Sequence, residues 1–312
     1  MVDMTGAAGR LPGIEAAAPL YATPADFVTL LKPRVMVLVV FTGLAGLVAA
    51  PESIHPVLAA VAILSIALGA GAAGAINMWY DRDIDAVMER TRLRPLPQGL
   101  IDPSDALAFG VIVSGAAVML MGLAVNWLAA ALLAAASFTY VFVYTMWLKR
   151  RTPQNIVIGG ASGAFPPMIG WAAATGRIDL AAVVLFLIIF FWTPPHFWAL
   201  SLYRAGDYER AGVPMMPVTA GPVSTKRQML AYTLLLLPLA AVPYFLDIAG
   251  PLYLAGALLL GGLFVGAAVA VLRDPTHRSA RRMFAYSILY LFLLFALLML
   301  DAAHGPLARL GV

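Results

Sequence analysis

The chain has 312 residues, of which 62% are hydrophobic and only 12% are charged. Soluble domains carry roughly 25% charged residues, and no water-soluble core of this length could bury so many apolar side chains, so the composition excludes a soluble protein. The absence of cysteine excludes disulfides, thiolate nucleophiles and iron–sulfur clusters.

Apolar windows along the chain predict the membrane-spanning helices. A bilayer core about 30 Å thick requires about 20 apolar residues per helix. Residues 1–25 are rich in Ala, Gly and Pro and predict a disordered cytoplasmic arm, followed by one membrane domain over 26–312. We expect an all-α, polytopic membrane protein with turns near Asn126 and Asp247 and nine transmembrane helices, at 35–50, 56–80, 106–125, 127–148, 156–175, 180–203, 229–246, 251–272 and 283–303.

Basic residues predict the orientation of these helices. With the amino terminus inside, 18 of the 20 Lys and Arg residues fall in inner segments, and only Arg177 and Arg309 fall outside. The net charge of +4 therefore indicates orientation in a membrane rather than nucleic-acid binding. Because the long inner loops also hold the acids, we predict a site that faces the cytoplasm.

The inner end of the second helix carries Asn77, Asp81 and Asp85. Their i, i+4 spacing places the three side chains on one helix face. Successive side chains are one turn apart, about 5.4 Å along the helix axis. The helix dipole and mutual repulsion disfavour carboxylates there, so a positive partner is required. One interpretation is a solvated helix end paired with nearby arginines. The other is a Mg²⁺ and diphosphate site, which the deep Asn77 amide and the arginines from Arg90 to Arg94 favour.

A second inner segment contains His196 and Asp207. Asp207 is either a further metal ligand or a partner of Arg204 or Arg210. His196 follows Pro194–Pro195, which are predicted to break the helix. Three roles stay open for His196: a neutral imidazole bonded to a carbonyl that proline has freed, a haem-iron ligand, or a proton acceptor.

Three other stretches carry weaker signals. Lys149 is the first of three adjacent cations, which indicate either the orientation of the chain in the membrane or a contact with diphosphate. Lys32-Pro33-Arg34 indicates mainly a helix start, with Arg34 as a candidate that points into the pocket. The small residues of Gly159–Pro167 predict a thin, broken helix that either packs closely or widens a cavity.

These motifs resemble the intramembrane prenyltransferase superfamily. The segments 77–97, 149–167 and 193–217 are similar to its haem-modifying branch, and the similarity covers approximately residues 26–300. The resemblance implies a helical bundle around a central cavity that opens laterally to lipid. It also implies transfer of farnesyl from farnesyl diphosphate to a vinyl group of haem B, with Mg²⁺ as cofactor, in a bacterial inner membrane.

The resemblance also assigns roles to individual residues. The matching residues are Asn77, Asp81, Asp85 and Asp207, which implies catalytic roles for all four and metal binding by the three aspartates. From the residues themselves we predict diphosphate contacts at Arg34, Arg90, Arg94, Lys149 and Arg204, and haem binding at His196. Partners implied are the lipid bilayer, both substrates, and haem A synthase or oxidase assembly factors that receive haem O, but no nucleic acid.

Two alternatives stay open at the level of sequence. Arg204 stands where the wider superfamily has an aspartate, which favours the haem-modifying branch over an aromatic acceptor such as 4-hydroxybenzoate or a quinone precursor. A secondary transporter would place its site near the bilayer midplane, whereas these acids lie at the inner surface.

Overall fold

The computed structural model describes residues 22–303, which form helices and connecting loops without a β-strand. The helices are α1 (Pro24–Leu30), α2 (Pro33–Ala49), α3 (Pro56–Tyr80), α4 (Arg82–Val87), α5 (Pro103–Ala124), α6 (Trp127–Phe138), α7 (Asn155–Thr175), α8 (Leu180–Tyr203), α9 (Ala205–Arg210), α10 (Met216–Thr219), α11 (Gly221–Phe245), α12 (Pro251–Arg273) and α13 (Arg278–Ala303). A π-helix, Thr139–Leu148, continues α6. Of the predicted arm, only 22–25 lie among the described residues, and α1 already begins at Pro24.

Local sequence explains where several helices begin. Proline occupies the first position of α2, α3, α5 and α12, where its missing N–H breaks no helical hydrogen bond. Asp102 caps α5 by accepting a hydrogen bond from the Ser104 N–H at 2.8 Å, and Asn126 caps α6 by accepting one from the Ala129 N–H at 2.8 Å. The predicted turns at Asn126 and Asp247 are both confirmed.

The all-helical membrane fold is confirmed. Within residues 22–303, eight helices are long and apolar enough to cross a bilayer. The pair α1 and α2, bent by 53° at their junction, makes a ninth span if the two count as one. Lys32 lies at this junction with φ 51°, and Pro33 after it disfavours the right-handed helical conformation for the preceding residue. The predicted count of nine therefore depends on this broken first span.

Two predicted helix breaks are wrong. The Pro166–Pro167 pair lies inside α7 and the Pro194–Pro195 pair inside α8, and both helices are continuous. Proline is tolerated within membrane helices where neighbouring elements satisfy the freed backbone groups. Helices α7 and α8 pack on each other.

Small residues set the closest helix contacts. A Cβ at Gly46 of α2 would lie 2.0 Å from the Pro167 carbonyl oxygen of α7. A Cβ at Gly159 would lie 2.2 Å from the Tyr144 ring. The packing interpretation of the Gly159–Pro167 stretch is confirmed, because the Pro167 backbone and the Tyr144 ring leave no space for a Cβ at Gly46 and Gly159.

The first and last long helices are neighbours. Helix α13 packs against α2 and α8, and α8 also contacts α7 and α11. Between α2 and α13 runs an apolar groove of about 420 Å³, whose lining includes Arg34, Phe41, Ile288 and Phe292. The groove lies beside the start of α2, where Arg34 is located.

Candidate active site

Asn77, Asp81 and Asp85 share one buried face at the end of α3. The Asp81 N–H donates to the Asn77 carbonyl at 2.9 Å and the Asp85 N–H to the Asp81 carbonyl at 2.8 Å, so the helical register continues into α4. Asp81 is 0% exposed and Asp85 2%. The helix end is therefore buried rather than solvated, although Asp85 pairs with Arg94 as the first interpretation expected.

Asn77 joins three elements at this face. Its Nδ2 donates to Asp81 Oδ2 at 2.7 Å and to the Thr145 hydroxyl at 3.1 Å. Its Oδ1 accepts a hydrogen bond from Lys32 Nζ at 2.9 Å. The Thr145 hydroxyl in turn donates to the Tyr140 carbonyl at 2.8 Å, a five-residue spacing that matches the π-helix. The π-helix thus places a hydroxyl and a lysine-bearing loop beside the carboxylates.

Each carboxylate of this face pairs with a cation. Lys149 Nζ contacts Asp81 Oδ2, and Arg94 contacts Asp85 Oδ2 at 2.6 Å. The side chains of Lys149 and Arg94 are only 15% and 21% exposed. Burial on both sides makes these pairs stronger than surface ion pairs.

Arg150 connects the same face to the loop that follows α3. Its guanidinium binds both oxygens of Asp83, at 2.6 and 2.7 Å, and lies 3.5 Å from Asp81 Oδ1. The hydrogen bonds from Arg150 hold the pKa of Asp83 below its usual value. The Tyr80 ring stacks on the guanidinium with 5.1 Å from the carbon to the ring centroid. Arg150 therefore fixes the geometry of the turn that carries Asp81.

The segment that follows α8 meets the segment that follows α3. Asp207 is buried and pairs with Arg210, and its Oδ1 accepts from the Glu89 N–H at 3.4 Å. Arg204 lies 3.4 Å from Glu89 and 3.8 Å from Asp207. An apolar cluster that includes Ile84, Met88, Tyr208, Val213 and Met215 packs the two loops together.

The predicted metal requires carboxylates that lie close enough together to share one ion. No three His, Asp or Glu side chains of residues 22–303 lie close enough together to form a ligand group, so Asp81, Asp85 and Asp207 are not gathered into one set. Each keeps its own cation instead. However, Asp81 Oδ1 and Asp207 Oδ2 are buried and accept no hydrogen bond from the described part of the chain. Arg150 lies 3.5 Å from Asp81 Oδ1 and Arg204 3.8 Å from Asp207 Oδ2 without forming a hydrogen bond, so both oxygens keep the capacity to bind a hard cation such as Mg²⁺.

The structure separates the predicted diphosphate residues into two sets. Arg94, Lys149 and Arg204 contact the acids. Arg90 is exposed and makes no ion pair with any described residue, and Arg34 lines the groove between α2 and α13. At the start of α2, the residue that reaches Asn77 is Lys32 rather than Arg34.

Sequence reasoning missed Lys32, Thr145 and Arg150 as site residues. Lys32 and Thr145 lie 45 and 68 residues from Asn77 in the chain. No spacing within one helix could indicate these contacts. In the sequence, Arg150 is distinguished only as one of three adjacent cations.

His196 is buried among aromatic rings of α8 and α13. Trp192 stacks on one face with centroids 4.3 Å apart, and Phe284 on the other with centroids 4.7 Å apart. Its Nδ1 lies 2.6 Å from the Ser287 hydroxyl oxygen. The partner of the imidazole is thus a side chain of the last helix and not a carbonyl freed by proline.

The fold and this site define a helical membrane protein with buried carboxylates and cations at the ends of its helices. The model of the UbiA prenyltransferase family matches residues 38–299, and the chain belongs to this family. The resemblance seen in the sequence is therefore confirmed.

Curated relatives are close in sequence. The chain is 60% identical over 294 residues to protoheme IX farnesyltransferase 2 of Mesorhizobium japonicum, covering 93% of this chain and 94% of the relative. It is also 60% identical over 291 residues to protoheme IX farnesyltransferase of Acidiphilium cryptum, covering 90% and 92%. Both alignments cover nearly the whole length of each protein.

Solved structures share the fold. A digeranylgeranylglyceryl phosphate synthase superposes with a TM-score of 0.75 at 20% identity, covering 90% of this chain and 98% of the other. A UbiA homolog from Archaeoglobus fulgidus, bound to DMAPP and Mg²⁺, superposes with a TM-score of 0.62 at 16% identity, covering 87% and 99%. At these identities the likeness establishes the architecture alone.

Proposed function

We propose that this chain transfers the farnesyl group of farnesyl diphosphate to a vinyl group of haem B, giving haem O for terminal oxidase assembly. The names and 60% identity of the relatives support the acceptor. The reaction class rests on one observation: Asp81 and Asp207 each keep a buried oxygen without a hydrogen bond, beside cations that are suited to bind a diphosphate. This arrangement matches a reaction whose leaving group is a polyanion.

The cations stabilise the leaving group. Ionisation breaks the bond between the allylic carbon and oxygen, and the electron pair leaves with the diphosphate. Lys149, Arg94 and Arg204 neutralise that charge where it develops. Arg90 in the first loop and Arg34 at the groove are positioned to meet the diphosphate as it enters.

Asp81 and Asp207, which the fold does not gather into one ligand group, would each offer Mg²⁺ a buried carboxylate oxygen, and Asn77 is the neighbour of Asp81 on its face. Mg²⁺ supplies further neutralisation of the departing diphosphate. The hydrogen bond from Asn77 Nδ2 fixes the Asp81 carboxylate, and Lys32 fixes the Asn77 amide from the other side. Orienting contacts of this kind maintain a ligand in its binding geometry.

Apolar surroundings protect the cationic carbon. The groove between α2 and α13 offers the farnesyl chain a path from lipid, and its apolar lining excludes water. The farnesyl carbon forms a bond to the terminal vinyl carbon of haem B, which leaves a cation on the adjacent carbon. Water then adds its oxygen there and releases a proton, which gives a hydroxyethyl group. We assign His196 to the haem end of the site.

We further propose the placement of the protein in a bacterial inner membrane. The bias of Lys and Arg supports a cytoplasmic amino terminus and a site at the cytoplasmic ends of the helices. Haem A synthase or oxidase assembly factors would receive the product.

The test uses membranes that contain the full chain, labelled farnesyl diphosphate, Mg²⁺ and haem B. Mass spectrometry of the extracted haem is expected to show labelled haem O, and Asp81→Asn membranes to show none. Label on 4-hydroxybenzoate with no haem O would replace haem by an aromatic acceptor. Release of label into neither acceptor would overturn the transferase assignment.

A further inference from the structure

The His196 ring is held in one plane by its neighbours. Trp192 and Phe284 stack on its two faces at interplanar angles of 19° and 25°. Trp192 Nε1 also donates to the Ser287 carbonyl at 2.9 Å, which ties α8 to α13 at this point. The Phe197 ring also lies close to His196, at 88° and with centroids 5.1 Å apart, so only the remaining part of the ring edge is open to another group.

The hydrogen bonds determine which ring nitrogen carries the proton. The Ser287 hydroxyl donates its single proton to the Phe284 carbonyl at 2.6 Å, since a carbonyl can only accept. The same hydroxyl oxygen lies 2.6 Å from His196 Nδ1. With its proton donated to the carbonyl, the hydroxyl accepts from His196, and we infer that the proton of the imidazole is on Nδ1. A neutral imidazole has one N–H, and its lone pair is then on Nε2.

Nε2 is left without a partner. It makes no hydrogen bond within residues 22–303, and no acidic side chain of that range contacts the ring. His196 keeps 9% of its surface exposed. The unpaired Nε2 is therefore free to bind a further group. An imidazole with its Nδ1–H bonded and its Nε2 free is the usual arrangement of a metal-binding histidine.

We propose that Ser287 is a positioning residue that holds His196 in the Nδ1–H tautomer and so presents Nε2 to the iron of the haem acceptor. This inference rests on the proposed function, because it takes haem B as the substrate. Ser287 itself does not contact the substrate. It acts through the ring of His196 and the carbonyl of Phe284.

The first experiment needs no haem. The chain has four histidines, so a nitrogen-15 histidine spectrum of the purified protein is simple, and His196→Gln identifies the signals of residue 196. We expect a protonated Nδ1 and an unprotonated Nε2, and a mixture of both tautomers in Ser287→Ala. A protonated Nε2 in the unchanged protein would overturn the inference.

The second experiment titrates haem B into the purified protein and follows its absorption spectrum. We expect His196→Ala to abolish the histidine-ligated spectrum. Ser287→Ala should weaken haem affinity by about tenfold or more, the usual effect of removing an outer partner of a metal ligand. The matched control is Ser201→Ala. Ser201 is also buried and also donates to a carbonyl three residues earlier, at 3.0 Å, but does not contact His196.

The outcomes separate this inference from the proposed function. If the unchanged protein makes haem O while His196→Ala keeps its haem spectrum, or if Ser287→Ala binds haem as Ser201→Ala does, the inference is wrong and the function stands. If the unchanged protein neither binds haem B nor farnesylates it, the proposed function is wrong and the inference falls with it.

Discussion

Asp81 at the end of α3 and Asp274 at the end of α12 are both carboxylates beside a helix terminus, yet their surroundings differ. Asp274 Oδ1 accepts from the N–H and the hydroxyl of Thr276, each at 2.7 Å, and Oδ2 accepts from the Ser279 N–H at 2.7 Å. Asp81 is fully buried, and its Oδ1 accepts no hydrogen bond from a described residue. A carboxylate satisfied by its own turn stabilises that turn, whereas a buried carboxylate left incomplete is available to a ligand.

The hydrogen-bond donors around each carboxylate also differ in where they lie in the chain, and those around Asp274 lower its pKa. The Ser279 N–H, followed by the hydroxyl and N–H of Thr276, holds the pKa of Asp274 well below its usual range. These donors come from within five residues of Asp274. The donors to Asp81 include Lys149, which is 68 residues away. The first carboxylate is therefore a local structural feature, and the second depends on the packing of separate helices.

The strongest test of this comparison is Asp81→Asn against Asp274→Asn. The shape of Asp81 is kept while its charge is lost, and we expect haem O formation to fall by about 10³-fold or more, since the leaving group loses electrostatic stabilisation. Asp274→Asn should keep normal turnover. Mass spectrometry of extracted haem measures both. Normal turnover in Asp81→Asn would remove the distinction between the two carboxylates.

Lys149→Met tests the cation that pairs with Asp81. We expect kcat/KM for farnesyl diphosphate to fall roughly 100-fold, because a buried charge aimed at the leaving group is lost. Arg151→Met is the matched control, since Arg151 is exposed in the same loop and pairs with no described acid. Equal kinetics for the two variants would show that Lys149 serves only orientation.

Asp207→Asn tests the carboxylate of the second loop. We expect the Mg²⁺ concentration for half-maximal activity to rise by at least about tenfold, which even outer-shell changes produce at metal sites. Glu209→Gln, an exposed neighbour, should leave the Mg²⁺ dependence unchanged. Activity after removal of divalent cations with EDTA, restored by Mg²⁺ titration, gives the measurement. An unchanged Mg²⁺ requirement would exclude Asp207 from the ligand set.

The smallest effect is expected for the stability of Asp274→Asn. Because folding lowers the pKa of Asp274, its charge stabilises the fold above the unfolded value, about 3.9, and this contribution is lost as the pH falls toward the folded value. We expect the thermal midpoint in detergent at pH 7 to fall by a few degrees. The difference in thermal midpoint between Asp274→Asn and the unchanged protein should become smaller below about pH 4. A difference independent of pH would contradict this assignment.

Much of the fold and part of the site were predictable from the sequence. The apolar windows overlap the observed long helices, and the two hairpin turns fall at Asn126 and Asp247, because span length and capping are local properties. The shared face of Asn77, Asp81 and Asp85 follows from helical periodicity alone. The prediction failed at Pro194–Pro195, because packing against neighbouring helices overrides the local tendency of proline to break a helix.

By itself, the sequence determined that this chain crosses a membrane as helices and that three polar side chains line the end of one of them. Only the tertiary structure decided which groups complete that face. It brings Lys32 and Thr145 to Asn77, and Ser287 to His196 from 91 residues away in the chain. The physical reason is that the spacing of residues fixes contacts within one helix, whereas contacts between helices depend on how closely their surfaces pack.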